Sequence, residues 1–354
     1  MKKFAVFSGF LGSGKTTTMI SLTRYFTIYH GKAAMISNDL GGAGLADNRL
    51  AKLNDCEASE LTGTCICYQT ENLVNRLNSL FDEKGCQLVI SDIPGFGVGA
   101  LDHVYHTLNR DYQEIPLAPF TVLVEPATVE KLMGNPGGDL GYILRSQLKE
   151  ADVIVLTKSD LLAGEEKQRD LAFLMGEFPE ARVLAVSALT GDGLEKLSQV
   201  LIHENASLRK PDLGYGGTEF CSAMGKFSEY NMQYYAIVCC DFFDGNAYLR
   251  NIAQAIQEKI RKLPGEIPHL KLLAWDPDGD FGKADVLGVD RPLELSHEFC
   301  HPCKELAVVI NSSAICPSKD LGQIITQTVE AVSQHYKLSV MIYKKECLDV
   351  MGDD

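Results

Sequence analysis

Through the first two hundred residues, short apolar runs alternate with longer amphipathic stretches. The runs are KFAVFS at 3–8, AAMIS at 33–37, QLVISD at 87–92, FTVLVE at 120–125, DVIVLTK at 152–158 and RVLAVSA at 182–188. Several are apolar almost without a break, as strands of a parallel sheet must be when both faces are covered. Between them, residues 15–29, 70–84, 141–149, 165–177 and 193–203 carry apolar positions at helical spacing. Strand-helix alternation of this kind predicts a doubly wound α/β domain with a mostly parallel sheet.

Around 205–218 the stretch NASLRKPDLGYGGT loses that periodicity and gains Pro and Gly, so a linker is expected at 206–218 between a domain of residues 1–205 and one of 219–354. The second half is ordered differently. It reads as a strand at 232–243, a helix at 246–262, strands at 269–275, 284–289 and 305–311, a helix at 319–336 and a last strand at 338–344. That order predicts a smaller α+β domain close to the split βαβ plan, with helices on one face of an antiparallel sheet.

Composition narrows the functions. The chain has 354 residues, 33 Lys+Arg against 47 Asp+Glu, a formal net charge of −14 and 45% hydrophobic residues, an ordinary soluble balance. Without a basic run, a nucleic-acid partner is not expected. No stretch reaches the ~20 apolar residues of a membrane span. MKKFAVFSGFLGSGK runs from two lysines straight into a glycine loop, so it reads as a first strand and not as a signal, and the cytoplasm is the expected location. Eleven cysteines then read as buried thiols plus a few metal or redox ligands, not as a disulfide framework.

The strongest chemistry lies at Gly9-Phe10-Leu11-Gly12-Ser13-Gly14-Lys15-Thr16, which matches G-x-x-x-x-G-K-[ST] between a strand and a helix. Such glycines turn backbone N–H groups toward a phosphate chain, and the following helix adds the positive end of its dipole. Lys15 is expected to reach the β and γ phosphates, Thr16 to ligate Mg²⁺, and Gly9, Gly12, Ser13, Gly14 and Thr17 to line the site. Further along, Thr157-Lys158-Ser159-Asp160 follows a strand and is a variant of the Asn-Lys-x-Asp signature of guanine recognition. The Asp160 carboxylate can accept both N–H groups of the guanine edge, an arrangement that adenine leaves unpaired. Lys158 would lie along the base, and Ser187-Ala188 would bring a backbone N–H to the guanine O6. Asp92-Ile93-Pro94-Gly95 has the spacing of an Asp-x-x-Gly switch, with Asp92 toward Mg²⁺ and Gly95 sensing the γ-phosphate. Asp39, near the expected first switch, is a further candidate for Mg²⁺. No arginine finger stands out, so intrinsic hydrolysis of GTP to GDP should be slow.

These residues resemble the CobW, HypB and UreG family of metal-handling GTPases, its CobW branch in particular. GFLGSGKTT at 9–17 is similar to that branch's phosphate loop, SNDLGG at 37–42 to its Asn-Glu-Phe-Gly segment, and Glu60 with Cys65-Ile66-Cys67 to its metal motif. The resemblance implies a GTPase, able to dimerise with GTP, that delivers a transition metal such as Zn or Co, or a metallocofactor, to a client metalloenzyme or corrinoid protein. Three departures stand out: Tyr68 replaces the third cysteine and Thr64 the preceding glycine, Asp92 stands where the family often has Glu, and a His-rich linker is missing.

Cys65 and Cys67 alone supply two of the four ligands of a closed zinc site. Cys300 and Cys303, in His-Glu-Phe-Cys-His-Pro-Cys at 297–303, have the C-x-x-C spacing of a zinc knuckle or redox pair, and could act alone, join Cys65 and Cys67, or be buried thiols. His103 and His106 stand at i, i+3, a spacing that suits either chelation or two solvated rings. Cys239 and Cys240 read as core. Alternatives to metal delivery are a GTP-gated module that protects or reactivates a cobalamin-dependent enzyme without binding metal, and a small-molecule kinase. Phe10, where the deviant ATPase loop has Lys, argues against that class.

Overall fold

The computed structural model describes residues 2–39, 51, 54–62, 65–214, 217–225, 227–238, 241–263 and 269–349. Seven strands form the first sheet: β1 (Lys3–Ser8), β2 (Ala33–Asp39), β3 (Glu57–Thr62), β4 (Leu88–Asp92), β5 (Thr121–Val124), β6 (Val153–Leu156) and β7 (Arg182–Ala185). Their order is β3-β2-β4-β1-β5-β6-β7, and every pairing is parallel. The unbroken apolar runs now have their reason. Phe4 and Val6 of β1 enter one core while Ala5 and Phe7 enter the other. The helices α1 (Lys15–Tyr29), α2 (Thr70–Asn78), α3 (Thr107–Asp111), α4 (Pro126–Met133), α5 (Gly138–Glu150), α6 (Gly164–Glu177) and α7 (Leu194–His203) follow, with α8 (Thr218–Met224) after them. Met19, Leu22 and Phe26 of α1 and Leu197 and Leu201 of α7 fill one core. Leu73 and Leu77 of α2, Leu144 and Leu148 of α5 and Leu174 of α6 fill the other.

Differences from the sequence reading have local causes. Strand β3, Glu-Ala-Ser-Glu-Leu-Thr, is an edge strand that pairs only with β2, so it needs no apolar run. The helix expected at 70–84 is there, α-helical over Thr70–Asn78 and widening into a π turn over Ser79–Glu83. Beside the phosphate-binding end, β1 and β5 meet in a broken seam. Phe7 pairs with Thr121 and Ser8 with Val122, but Phe4 pairs with Leu117. One extra residue on the β5 side displaces the ladder, and the Val6 N–H is taken by the hydroxyl of Tyr105, a fully buried residue, at 3.0 Å.

The chain passes from the first compact unit to a second between Ala223 and Met224. Residues expected to be linker or second domain up to 223 therefore belong to the first unit. Arg209 donates to the Lys149 carbonyl at 3.4 Å and the Tyr142 hydroxyl to the Leu213 carbonyl at 2.6 Å, which ties 206–214 down.

The second unit contains β8 (Phe227–Val238), α9 (Gly245–Arg261), β9 (His269–Trp275), β10 (Phe281–Val286), β11 (Glu294–His297), β12 (Glu305–Ile315), α10 (Ser318–His335) and β13 (Leu338–Asp349). Its sheet runs β11-β10-β9-β12-β8-β13 and is antiparallel throughout. Within it β9-β12-β8-β13 keep the split βαβ order, extended by β10 and β11. Tyr248, Ile252 and Ile256 of α9 pack with Leu321, Ile325 and Val329 of α10 over Met232, Tyr234 and Ala236 of β8. The first strand starts and ends five residues earlier than expected, and Cys239 and Cys240 lie outside the described residues.

Candidate nucleotide site

Strand β1 delivers the chain to the phosphate loop, and three positive backbone angles shape that loop: φ is 134° at Gly9, 83° at Gly12 and 84° at Gly14. Gly9 is compact by necessity, since a Cβ there would stand 2.2 Å from the Leu123 carbonyl oxygen. Lys15 opens α1 with its ammonium folded inside the loop, donating to the Gly9 carbonyl at 2.6 Å and the Phe10 carbonyl at 3.4 Å. The Ser13 hydroxyl is buried without a hydrogen-bond partner among the described residues. Thr16 is half-buried and Thr17 exposed at the start of the helix.

Two other loops meet this one from neighbouring strands. After β6, Thr157 donates its hydroxyl to the Ser13 carbonyl at 2.7 Å, tying the Thr-Lys-Ser-Asp loop to the phosphate loop. Lys158 takes a left-handed conformation, φ 51°, and its ammonium bonds the buried Glu125 carboxylate at 2.7 Å. Asp160 is exposed on the following turn. After β7, the buried Ser187 holds its own loop through the Thr190 N–H at 3.1 Å, and the Ala188 carbonyl accepts the Ser21 hydroxyl of α1 at 2.9 Å. Both segments expected to read the base are thus anchored to the phosphate loop and α1.

On the other side, Asp92 ends β4 beside Phe7, buried, with the Asn38 N–H on Oδ1 at 2.9 Å. A carboxylate and the Thr16 hydroxyl are hard oxygen donors suited to Mg²⁺. Gly95 lies directly on the phosphate loop, where a Cβ would meet Leu11 Cδ2 at 2.5 Å and Leu11 N at 3.0 Å. Asp39 is the last residue of β2, and its side chain, like residues 40–50, is outside the described part.

Asn38 is a junction that the sequence reading passed over. Its backbone N–H serves Asp92, its side-chain N–H reaches the Leu61 carbonyl of β3 at 3.3 Å, and its Oδ1 accepts the Ile66 N–H at 2.9 Å. Ile66 sits between the two motif cysteines on a turn spanning Ile66–Tyr68. The Cys65 and Cys67 sulfurs lie 2.8 Å apart, close enough to share one proton. That contact holds the Cys65 thiol below its usual range and, with burial, drives Cys67 well above it. Glu60 stands on β3 and Tyr68 is 73% exposed. Thr64 lies outside the described residues.

In the second unit the C-x-x-C pair divides. Cys303 is buried in the core against Gly245, its thiol pushed up to about 11 by burial, while Cys300 is exposed and its N–H is held by Asp280 at 2.8 Å. His106 bonds the Arg209 carbonyl at 3.0 Å. Among the described residues no group of three or more His, Cys, Asp and Glu is arranged to hold a metal ion.

A parallel sheet of this order, a loop of this shape and a switch Asp-x-x-Gly at the next strand define the class of P-loop GTPases. Residues 3–182 match the family model described as CobW/HypB/UreG, nucleotide-binding domain, and the chain belongs to the CobW/HypB/UreG family. It is also similar to the GTPase Era of Geotalea uraniireducens (strain Rf4), 28% identical over 130 residues that cover 36% of this chain and 42% of that protein. The GTPase Era of Geotalea daltonii is 30% identical with the same coverage, 36% and 42%, so this chain spans less than half the length of these curated relatives. Among solved structures, the Zn(II)-bound YjiA GTPase from E. coli is 16% identical over 92% of this chain and 98% of its own, with a TM-score of 0.37. HypB from Helicobacter pylori in complex with nickel is 18% identical over 56% of this chain and 85% of its own, with a TM-score of 0.41. No helix among the described residues is long and apolar enough to cross a membrane.

Proposed function

We propose that this protein hydrolyses GTP to GDP and phosphate with Mg²⁺ and uses the change at its switch to deliver a transition metal, or a metallocofactor, to a client enzyme. Asp92 and Thr16 would hold Mg²⁺, which neutralises charge on the β and γ phosphates. Lys15 faces the phosphate chain, the Ser13 hydroxyl and loop N–H groups bind it, and Asp160 reads the guanine edge. Catalysis here is positioning and charge stabilisation, with water attacking the γ-phosphate and no covalent protein intermediate.

The observation that carries the metal half is the junction at Asn38. One residue joins the switch carboxylate of Asp92 to the turn that bears Cys65 and Cys67. A shift of Asp92 on loss of the γ-phosphate moves the thiols, and a metal on the thiols biases the switch; such coupling is reciprocal. The metal is cargo, and a site of only two thiols suits release.

The test is anaerobic titration of the full chain with Zn²⁺ and Co²⁺, with GDP and with a nonhydrolysable GTP analogue. Tight binding is expected in the wild type, dependent on nucleotide, lost in Cys65→Ser/Cys67→Ser and retained in Cys300→Ser/Cys303→Ser. The exposed Tyr68 on the same turn favours a second reading, a GTP-gated docking module for a cobalamin-dependent enzyme. No cysteine-dependent metal binding in either nucleotide state, together with GTP-dependent complex formation, would favour that reading and exclude delivery through these thiols.

A further inference from the structure

Two polar side chains on α5 play no part in the site described so far, yet they are among the most deeply buried in the first unit. Gln147 is 1% and Glu150 0% exposed. They stand three residues apart, so they share a helix face. That face meets the segment following Asp92-Ile93-Pro94-Gly95. The Gln147 amide donates to the carbonyls of Gly95 and Gly97, each at 3.0 Å. One Glu150 oxygen accepts the Gly99 N–H at 3.0 Å and the other the Leu101 N–H at 2.9 Å. Four alternate residues of the switch segment are therefore gripped by one turn of helix.

The chemistry is costly for a contact that needs only cover. A carboxyl buried this deeply is driven up to about 7 by desolvation, against the pull of its two N–H donors. Leucine would fill a similar volume without that cost, but would leave the Gly99 and Leu101 N–H groups unpaired. What a polar pair supplies and leucine cannot is direction: it fixes which carbonyls and which N–H groups face the helix. The segment so fixed begins at Gly95, whose Cα lies against Leu11 of the phosphate loop.

We propose that Gln147 and Glu150 are positioning residues of the GTP switch, holding Gly95 on the phosphate loop so that α5 sets the rate of hydrolysis while leaving nucleotide affinity almost untouched. The inference rests on the GTPase reading and is independent of metal delivery.

Single-turnover GTP hydrolysis, fluorescent GDP binding and amide exchange across 95–101 test it in the full chain, with Gln147→Leu, Glu150→Leu and Glu150→Gln. Both leucine variants are expected to lose about ten-fold or more in kcat while the Kd for GDP stays within about three-fold. Amides of 95–101 should exchange faster, and Glu150→Gln, which keeps one acceptor oxygen, should recover part of the rate. A kcat within about two-fold of wild type in both leucine variants overturns the proposal, as does a rate loss matched by an equal loss of GDP affinity. Should Glu150→Leu fail to fold, Gln147→Leu and Glu150→Gln decide by the same measures. A wild type that binds GDP and turns over no GTP would sink the GTPase reading; unchanged exchange at 95–101 in the variants would sink the clamp.

Discussion

Gly95 and Leu11 approach so closely that a single methyl group separates a working switch from a displaced one. In Gly95→Ala the new Cβ would fall 2.5 Å from Leu11 Cδ2 and 3.0 Å from a backbone nitrogen, and only the side chain can yield. GTP turnover is expected to drop about ten-fold or more, with GDP affinity preserved, in a single-turnover assay. At the base, the proposed function gives the guanine contact to Asp160. Removing its carboxylate in Asp160→Ala leaves guanine's N–H groups unpaired, so GDP should bind about 100-fold more weakly while ADP binding stays as it was, measured by competition. The family and the loops that meet at β1, β4, β6 and β7 were legible in the sequence, because phosphate and guanine binding demand particular residue types at fixed spacing. Asn38, Gln147 and Glu150 were not, since a hydrogen bond to backbone leaves no spacing rule. For the α5 pair a signal did exist: polar residues aligned with apolar ones, Gln147 three after Leu144 and Glu150 seven after Ile143.

Among the elements, the first sheet is held at its centre by a side chain. Tyr105→Phe would leave the Val6 N–H buried and unpaired, and the expected cost is about 1–3 kcal/mol in denaturant unfolding, with an unchanged fold. A loss below about 0.5 kcal/mol would mean that the strand finds another acceptor. Element types were read well wherever burial on two faces imposed an unbroken apolar run. Two edge strands were missed. β3 pairs on one side and β11 is mostly exposed, so neither needs such a run, whereas the edge strands β7 and β13 were read; α8, just past the expected linker, was given no element. The cysteines show the same limit. Spacing grouped Cys300 with Cys303, and packing separated them, one into the core and one onto the surface.

For the molecule as a whole, two carboxyls set a direction in pH. Burial pushes Glu150 and Glu229 up to about 7, above their unfolded range near ~4.3. Between those values the folded chain binds more protons than the unfolded one. The stability contributed by the neutral acids is therefore full below about pH 4.3 and declines as pH rises through 7. Glu229→Gln stays neutral throughout, so its melting temperature should gain on the wild type as pH rises from 5 to 8; equal slopes in the two proteins would refute this. The broken seam between β1 and β5 has a consequence at this scale as well. It lies between a half with β2, β3 and β4, which leads to Asp92 and the Cys65–Cys67 turn, and a half with β6 and β7, which leads to the Thr157 and Ser187 loops. Several ties cross it: the Phe7–Thr121 and Ser8–Val122 pairs, the Ser21 hydroxyl on the Ala188 carbonyl, Thr157 on Ser13 of the phosphate loop, and the α5 bonds to 95–101. One sheet thus carries two registers, and the ties beside the phosphate loop are what hold the ladders on its two sides in step.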